Sequence, residues 1–238
     1  MLTLLIDGDI IAYRAASATE VPIQWEEDLW TLHGIPSEGY AYADDVITKL
    51  VEKAGADSCI VLLSGKANYR KQLYPEYKAN RTNTRKPFML TTIRKWIADH
   101  YRTKVSEGIE ADDLIGIFAT KKPDDYIIWS PDKDLKQIAG KHLTDEGVIT
   151  ITPEEAERNF WMQVLTGDTA DNYKGITGVG PVKAERILDK DDGLSSWEKV
   201  KQAYEKAGMT VEDAILTARL AHILTYQTKD NLWSPPND

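Results

Sequence analysis

Apolar residues along this chain fall into short continuous runs separated by longer repeats at helical spacing. The runs at residues 2–6, 58–63 and 126–130 are rich in apolar side chains, many of them branched, as in strands that are buried on both faces of a sheet. Between the first two runs, apolar residues recur at helical spacing from 40 to 54, and Gly55 ends the repeat. Because strands alternate with helices, the pattern predicts an α/β fold with a central, mostly parallel sheet.

The later part of the chain is predicted to be mainly helical. The remaining predicted elements are, in order, a helix after Pro87, a helix from Glu110, a short helix over 132–139, a strand over 148–152, a helix over 154–165, a helix from Pro181 and two amphipathic helices within 195–226. We therefore expect an α/β domain over 1–152 and a helical region over 153–238.

Residues 17–37 interrupt the alternation of strands and helices. This stretch is mostly polar and contains Pro22, Gly34 and Pro36, so it is predicted to be an excursion from the main fold. A short hairpin is expected around Trp25 and Trp30. The pattern assigns it no function.

Composition fits a soluble folded protein. The chain has 238 residues, 42% of them apolar and 28% charged, and no apolar run approaches the length of a membrane span. Its first residues lack the features of a signal peptide, and its single Cys59 has no partner to oxidise. The four histidines show no ligand spacing, which disfavours a zinc site. We expect no membrane association and a cytoplasmic location, that of the host if the chain is viral.

Acidic side chains stand at the ends of several predicted elements. They are Asp7, Glu110, Asp112, Asp113, Asp132, Asp134, Asp168 and Asp171. Groups beyond the carboxyl ends of parallel strands meet in one crevice, so acids that follow strands can face the helix start at Glu110. Crowded carboxylates call for divalent cations, and oxygen ligands without Cys or His indicate Mg²⁺ or Mn²⁺. This predicts a metal site acting on phosphate; for residues 110–113 alone, the alternative is compensation of the helix dipole.

Positive charge is concentrated in one stretch. The net charge is −9, yet residues 66–104 contain eleven Lys or Arg against two acids, a local charge of +9. The candidate contacts are Arg70, Lys71, Lys78 and Arg81 for phosphates, and the rings of Tyr69, Tyr74 and Tyr77 for bases or sugars. A basic strip beside an acidic site suits binding and cutting a polyanion, whereas the alternative is a solvated loop.

A glycine-rich turn at 175–181 precedes the helix that begins at Pro181. Gly178 and Gly180 would let backbone N–H groups approach a phosphate, and Lys183 lies in the first turn of the helix. The stretch is therefore a candidate site for a nucleic-acid backbone. A purely structural turn is the alternative.

Several of these motifs together resemble one known family. They are the stretches 5–9, 77–81, 110–113, 130–134 and 167–172, followed by the glycines at 178–180. In this order they are similar to the flap endonuclease and 5′-3′ exonuclease family, and most similar to the 5′-3′ exonucleases of phages. The resemblance spans nearly the whole chain.

The resemblance implies a PIN-like domain with a short basic arch segment at 66–104 and a helix-three-turn-helix element at about 165–190. It implies a monomeric nuclease that hydrolyses DNA phosphodiester bonds with two Mg²⁺ or Mn²⁺ ions. The substrates would be duplexes with a 5′ end, flaps or junctions, with RNA–DNA hybrids as a further candidate.

The family motifs also imply a role for each candidate residue. The first metal region would use Asp7, Glu110, Asp112, Asp113 and Asp132, and the second would use Asp134, Asp168 and Asp171. Lys78 and Arg81 match the basic pair of the active site. The glycine turn, with Lys183, matches a site for duplex phosphate and K⁺.

One position departs from the family. An Asp usually follows the second strand, and Ser64 stands there in this chain. The segment between Arg81 and Glu110 is also short, so any arch is small. Two alternatives stay open: a haloacid-dehalogenase-type phosphatase, suggested by the acids at 7 and 9, and a DNA-binding module without catalysis.

Overall fold

The computed structural model describes residues 1–236. The strands are β1 (Thr3–Asp7), β2 (Glu20–Glu26), β3 (Leu29–Gly34), β4 (Ser58–Leu63), β5 (Thr103–Val105), β6 (Tyr126–Trp129), β7 (Gly140–Thr144), β8 (Gly147–Ile151), β9 (Gly167–Asp168) and β10 (Tyr173–Lys174). The helices are α1 (Gly8–Ala18), α2 (Pro36–Ala54), α3 (Tyr69–Leu73), α4 (Leu90–His100), α5 (Ala111–Lys121), α6 (Pro153–Thr166), α7 (Pro181–Leu188), α8 (Ser196–Lys206) and α9 (Val211–Ala221). Among residues 1–236, no helix has the length and apolar character needed to cross a membrane.

A six-stranded sheet with the order β5-β4-β1-β6-β7-β8 forms the centre of the fold. The neighbours from β5 to β7 are parallel, and β8 runs antiparallel to β7. Asp7 lies opposite Leu62, and Ile6 lies opposite Trp129, so β1, β4 and β6 end at the same edge. The predicted α/β fold with a mostly parallel sheet is confirmed.

Side chains of β1 alternate between two cores. Leu4 and Ile6 pack with Ile11 in the core that α1, α2 and α4 cover, whereas Leu5 packs with Ile115 of α5 on the opposite face. All five side chains are fully buried. Each contributes about 1.5–3 kcal/mol through burial. Helices on both faces explain why the central strands are continuous apolar runs.

The helical region has a core of its own that also includes residues of the first region. α6 to α9 surround Val164 and Tyr204, and Tyr77 is buried in the same cluster. Gly116 of α5 lies so close to the Leu224 carbonyl that an added Cβ would be 2.3 Å from its oxygen. The regions predicted at 1–152 and 153–238 are therefore closely packed against each other.

Two local predictions are wrong. The basic stretch 66–104 does not form one arch, because α4 buries Ile93 and Ile97 against the sheet. Its longest run of exposed residues is 80–86, which includes the loop at 82–86. The helix expected over 132–139 is a shorter 3-10 helix, Lys133–Gln137.

The predicted hairpin is present. β2 and β3 pair antiparallel, with Glu20 opposite Gly34, and a bulge interrupts the register near the tip. Trp25 and Trp30 are both exposed.

Candidate active site

Asp7 lies where β1 ends and α1 begins. One carboxylate oxygen caps the helix by accepting the Ile10 N–H at 3.3 Å, and the other accepts the hydroxyl of Ser130 at 3.0 Å. Ser130 follows β6, the neighbour of β1, so this bond joins two strand ends. Burial and the adjacent charge of Asp9 raise the pKa of Asp7 to about 6.

Asp112 lies in the first turn of α5 and faces three other carboxylates. Its burial, followed by the charges of Asp7, Asp132 and Glu110, raises the pKa of Asp112 well above its usual range. Four of the predicted metal ligands therefore converge at the carboxyl edge of the sheet, as expected for groups that follow parallel strands.

A second acidic group lies beside α6, with Asp134 in the 3-10 helix Lys133–Gln137, Asp168 at the end of β9 and Asp171 in the loop that follows. Asp134 accepts a hydrogen bond from Gln163 at 2.8 Å, and burial together with Asp132 raises the pKa of Asp134 to about 6. Asp168 is buried and accepts the N–H groups of Ala170 and Asp171. These bonds fix the loop between β9 and β10.

Tyr77, Lys78 and Arg81 link the two acidic groups. The Tyr77 hydroxyl lies 2.8 Å from Glu110 and 2.7 Å from Asp171. Lys78 forms an ion pair with Glu110, and its Nζ lies 3.4 Å from Asp171. Arg81 donates to Asp171 at 2.6 Å. The expectation that Tyr77 offers a ring face to bases is wrong, because the residue is only 3% exposed; Tyr69 and Tyr74 are half-buried.

The backbone at Lys78 holds this arrangement in place. Lys78 adopts a left-handed conformation with φ of 57°, which is uncommon for a residue other than glycine. Its N–H donates to the Asp171 carbonyl at 2.8 Å. The basic pair and the loop carrying Asp171 are therefore joined through both backbone and side chains.

Arg70 and Asp113 form a buried ion pair and do not lie where the sequence predicted them. Arg70 was expected to contact DNA and Asp113 to bind metal, but both are buried and form two hydrogen bonds at 2.7 and 2.8 Å. Arg70 also donates to the carbonyls of Leu220 and His222, and Asp113 accepts the Leu224 N–H. Although burial opposes ionisation, Arg70 holds the pKa of Asp113 below its usual range. The pair is a structural link between α3, α5 and the residues around the end of α9.

Glu110 stands between this buried pair and the candidate site. Burial disfavours its charge, but Lys78 and Arg70 hold the pKa of Glu110 below its usual range. Its carboxylate caps α5 together with Asp113 in a capping box. Glu110 is therefore ionised and fixed in direction.

The donor set fits hard divalent cations. In the described residues, no three acidic, imidazole or thiol side chains stand close enough to hold an ion without rearrangement. The carboxylates of Glu110 and Asp171 form ion pairs with Lys78 and Arg81. Burial, followed by neighbouring carboxylates, raises the pKa values of Asp7, Asp112 and Asp134, and oxygen-only ligands suit Mg²⁺ or Mn²⁺.

The predicted nucleic-acid contacts lie outside the acidic groups. Lys71 is exposed on α3. Gly178, with φ of 76°, and Gly180 form the turn before α7, and Lys183 donates to the Gly178 carbonyl at 2.8 Å. A groove of about 490 Å³ runs from Thr169, beside the second acidic group, to this turn.

Ser64 and Arg94 show a connection that sequence reasoning missed. The Ser64 hydroxyl accepts the Ala111 N–H at 3.0 Å and so helps to begin α5. Arg94 pairs with Asp9 and donates to the Ser64 carbonyl at 2.5 Å. Arg94 lies between the apolar residues Ile93 and Ile97 of α4, and nothing in its spacing indicates that it reaches the sheet edge. Only Asp9 could have been noticed in the sequence, because it lies two residues after Asp7.

The model for the 5′-3′ exonuclease N-terminal resolvase-like domain matches residues 2–166. The chain belongs to this exonuclease family. The predictions of a PIN-like fold and of a 5′-3′ nuclease are thereby confirmed.

Relatives within and around this family match most of the chain. The exonuclease of Escherichia phage T7 is 28% identical over 94% of this chain and 88% of its own. The 5′-3′ exonuclease of Mycoplasma pneumoniae is 30% identical over 85% of this chain and 78% of its own.

A solved structure shows the same fold. The bacteriophage T5 flap endonuclease, in a pseudo-enzyme–product complex with DNA and metal ions, superposes with a TM-score of 0.62 at 16% identity. The match covers 93% of this chain and 89% of that one.

Proposed function

We propose that the protein is a divalent-metal-dependent nuclease that hydrolyses DNA phosphodiester bonds at 5′ ends, flaps and junctions. The observation that supports this most is the convergence of Asp7, Glu110 and Asp132 on the half-buried Asp112. So much negative charge at the end of a parallel sheet is stabilised by cations, and cations in turn attract a phosphodiester.

Each acidic group would hold one ion. Asp7, Glu110, Asp112 and Asp132 would serve the first ion, with Asp134, Asp168 and Asp171 serving the second. Bound Mg²⁺ would lower the pKa of the attacking water and stabilise the leaving oxygen. Asp113 is left out because it is paired with Arg70.

Lys78 and Arg81 would bind the phosphoryl oxygens. Their charges are at present directed to Glu110 and Asp171. When those carboxylates serve cations, the ammonium and guanidinium groups become free to turn to the phosphate and stabilise its developing charge.

The choice of substrate is supported by the glycine turn and by the relatives. The turn at Gly178 and Gly180, with Lys183, would bind a duplex backbone and K⁺, and the groove from Thr169 would lead the strand to the acidic groups. The phage T7 and Mycoplasma relatives are named exonucleases, and the phage T5 structure contains DNA. We propose a monomer that acts on DNA in the cytoplasm, with RNA–DNA hybrids as a second substrate.

The test is digestion of 5′-labelled duplex, flap and RNA–DNA hybrid substrates side by side, in Mg²⁺, Ca²⁺ and EDTA. We expect cleavage in Mg²⁺, binding without efficient cleavage in Ca²⁺, and neither binding at the site nor cleavage in EDTA. Asp132→Asn should abolish cleavage, whereas Asp124→Asn, an exposed acid outside the site, should cut normally. Binding without cleavage in Mg²⁺ would indicate a non-catalytic module, and release of phosphate from a small monoester a phosphatase.

Lys78→Met is expected to lower the single-turnover rate by about 10²-fold while changing DNA affinity by less than about threefold. The ammonium stabilises charge that develops on the phosphoryl group, and methionine keeps most of the volume. Rates and dissociation constants are measured on the same flap substrate, with Lys86→Met as a matched exposed control. If affinity falls as much as the rate, Lys78 belongs to the binding surface.

Lys183→Ala is expected to weaken duplex binding alike for all sequences. Loss of one phosphate contact should flatten the plot of log affinity against log salt by about one unit. Binding is measured in Ca²⁺ at several salt concentrations. Lys206→Ala is the control, and a slope identical to that of the unaltered protein would make the turn purely structural.

A further inference from the structure

The hairpin of β2 and β3 carries none of the proposed catalytic or DNA-binding residues, yet its surface is strongly apolar. Val21 is 52%, Trp25 60%, Leu29 50% and Trp30 55% exposed. Clustered exposed apolar side chains mark interaction sites, and tryptophan is frequent among residues that dominate binding. The hairpin therefore has the side chains of an interaction surface.

Both faces of the hairpin contribute to this surface. Trp30 lies opposite Gln24 and so shares its face. The Trp25 indole donates to the Thr31 hydroxyl at 2.7 Å. Because Thr31 follows Trp30 in β3, its side chain points to the opposite face. One tryptophan is thus presented on each face.

The charge of this region disfavours nucleic acid. No Lys or Arg occurs between Arg14 and Lys49. The acids in that interval are Glu20, Glu26, Glu27, Asp28, Glu38, Asp44 and Asp45. Three of them, at 26–28, form the hairpin tip. The acidic tip repels phosphates and favours a cationic partner.

The outer edge of β3 is open to a further strand. The hairpin is a two-stranded sheet. β2 contains Pro22 and acids at both ends, which protect a strand edge, whereas β3 contains neither proline nor a charged residue. Such an edge can accept an extended peptide through backbone hydrogen bonds.

The base of the hairpin is held against the basic loop at 82–86 and the residues that follow it. Glu20 accepts the Arg85 guanidinium at 2.5 and 2.9 Å and the Phe88 N–H at 2.6 Å. An added Cβ at Gly34 would be 2.6 Å from Met89. The hairpin is thus fixed before any partner binds, which lowers the entropy cost of docking.

We propose that β3 docks an extended segment of a protein partner that carries Lys or Arg between apolar side chains. The segment adds as a third strand beside β3. Its apolar side chains cover Trp25 and Trp30 on the two faces, and its basic side chains pair with the acids of the tip. The partner is then held beside the loop at 82–86.

The test uses a short fluorescent peptide in which pairs of Val alternate with pairs of Lys, so that each face of the added strand presents both, with the full chain and fluorescence anisotropy as the readout. We expect binding that Trp25→Ser with Trp30→Ser weakens about tenfold. Tyr226→Ser, a control at another exposed aromatic, should have no effect. Removing the tip charges with Glu26→Gln, Glu27→Gln and Asp28→Asn should also weaken binding, whereas Asp124→Asn, Glu146→Gln and Glu205→Gln remove the same charge elsewhere and should not.

A second peptide, N-methylated at every residue so that neither edge of the strand can donate, tests strand addition directly. It keeps the charge but cannot donate the backbone hydrogen bonds, and we expect its binding to be lost. Equal binding of the two peptides would overturn the proposal. It would also be overturned if the tryptophan variants lost affinity for a single-stranded oligonucleotide or lost self-association while peptide binding stayed unchanged.

The hairpin and the nuclease site are tested separately. All hairpin variants should cleave 5′-labelled duplex at the rate of the unaltered protein, which also shows that they are folded. If the unaltered protein does not cleave the duplex, the nuclease proposal is refuted, whereas the proposal of peptide binding is not affected.

Discussion

Asp112→Asn is expected to abolish DNA cleavage while leaving the protein folded. Asp112 lies among Asp7, Glu110 and Asp132, and asparagine keeps its volume without its charge. Interactions between carboxylate, cation and phosphoryl oxygen contribute several kcal/mol, so we expect the single-turnover rate to fall about 10³-fold or more. The measurement is a quenched time course on a 5′-labelled flap at saturating protein.

The same substitution should stabilise the protein when divalent cations are chelated. The pKa of Asp112 is raised in the folded state, so ionisation favours the unfolded chain and stability falls as pH rises above about 4. Ionisation of Asp7 and Asp134, each with a pKa of about 6, also lowers the free energy of unfolding, so stability continues to fall as the pH rises to about 6. In EDTA at pH 8, the Tm of Asp112→Asn should rise by about 2–4 °C per kcal/mol of relieved repulsion.

Mg²⁺ should shift the difference in Tm between the two proteins in favour of the unaltered protein. Added Mg²⁺ binds the folded state and should raise the Tm of the unaltered protein more than that of Asp112→Asn. Asp124→Asn makes the same chemical change at an exposed position and should affect neither cleavage nor Tm. Full cleavage by Asp112→Asn, or a lower Tm in EDTA, would contradict the proposed metal cluster.

Arg70→Met is expected to destabilise the protein by about 3–5 kcal/mol, because it leaves the buried carboxylate of Asp113 without its partner. Arg70 is 3% exposed and also satisfies the carbonyls of Leu220 and His222. The free energy of unfolding is measured by urea denaturation. Lys71→Met, at the exposed neighbouring position, should change it by less than about 0.5 kcal/mol.

A double variant separates the buried pair from a loss of packing. Arg70→Met combined with Asp113→Leu removes both charges, and it should recover much of the stability that Arg70→Met loses. If Arg70→Met is as stable as Lys71→Met, the guanidinium does not hold the regions together. If the double variant is less stable than either single variant, the backbone groups that the pair satisfies at 110, 220, 222 and 224 matter more than its charge.

The sheet and the first acidic group could be predicted because their signals are local. Apolar runs mark β1, β4 and β6, and acids such as Asp7 and Asp132 come directly after two of them. Parallel pairing then brings these acids to one edge without further information. The hairpin was likewise indicated by turn residues and two tryptophans.

The separation of Asp112 from Asp113 could not be predicted. Adjacent residues of a helix point about 100° apart, so one can face the other carboxylates while the next faces the interior. Which one does so depends on Arg70 and on the carbonyls at 220 and 222, far away in sequence. The spacing of acids contains none of this.

Short elements were also missed for physical reasons. α1 begins directly at Asp7 and continues from the buried strand, so its small and apolar residues gave no separate helical signal. β7 contains Lys141 and His142 and lacks the apolar run of the central strands. Backbone pairing with β6 and β8, not an apolar side-chain pattern, stabilises β7 as a strand.

The buried guanidinium of Arg70 has a consequence for the order in which the protein becomes active during synthesis. Its acceptors at Leu220 and His222 lie in the last part of the chain, whereas Asp113 and Glu110 are made much earlier. Until the ribosome has released residues near 222, Arg70 and the start of α5 lack the contacts that fix them. The start of α5 therefore acquires its final geometry only after α9 has been made, and we expect the acidic cluster to assemble no earlier than that.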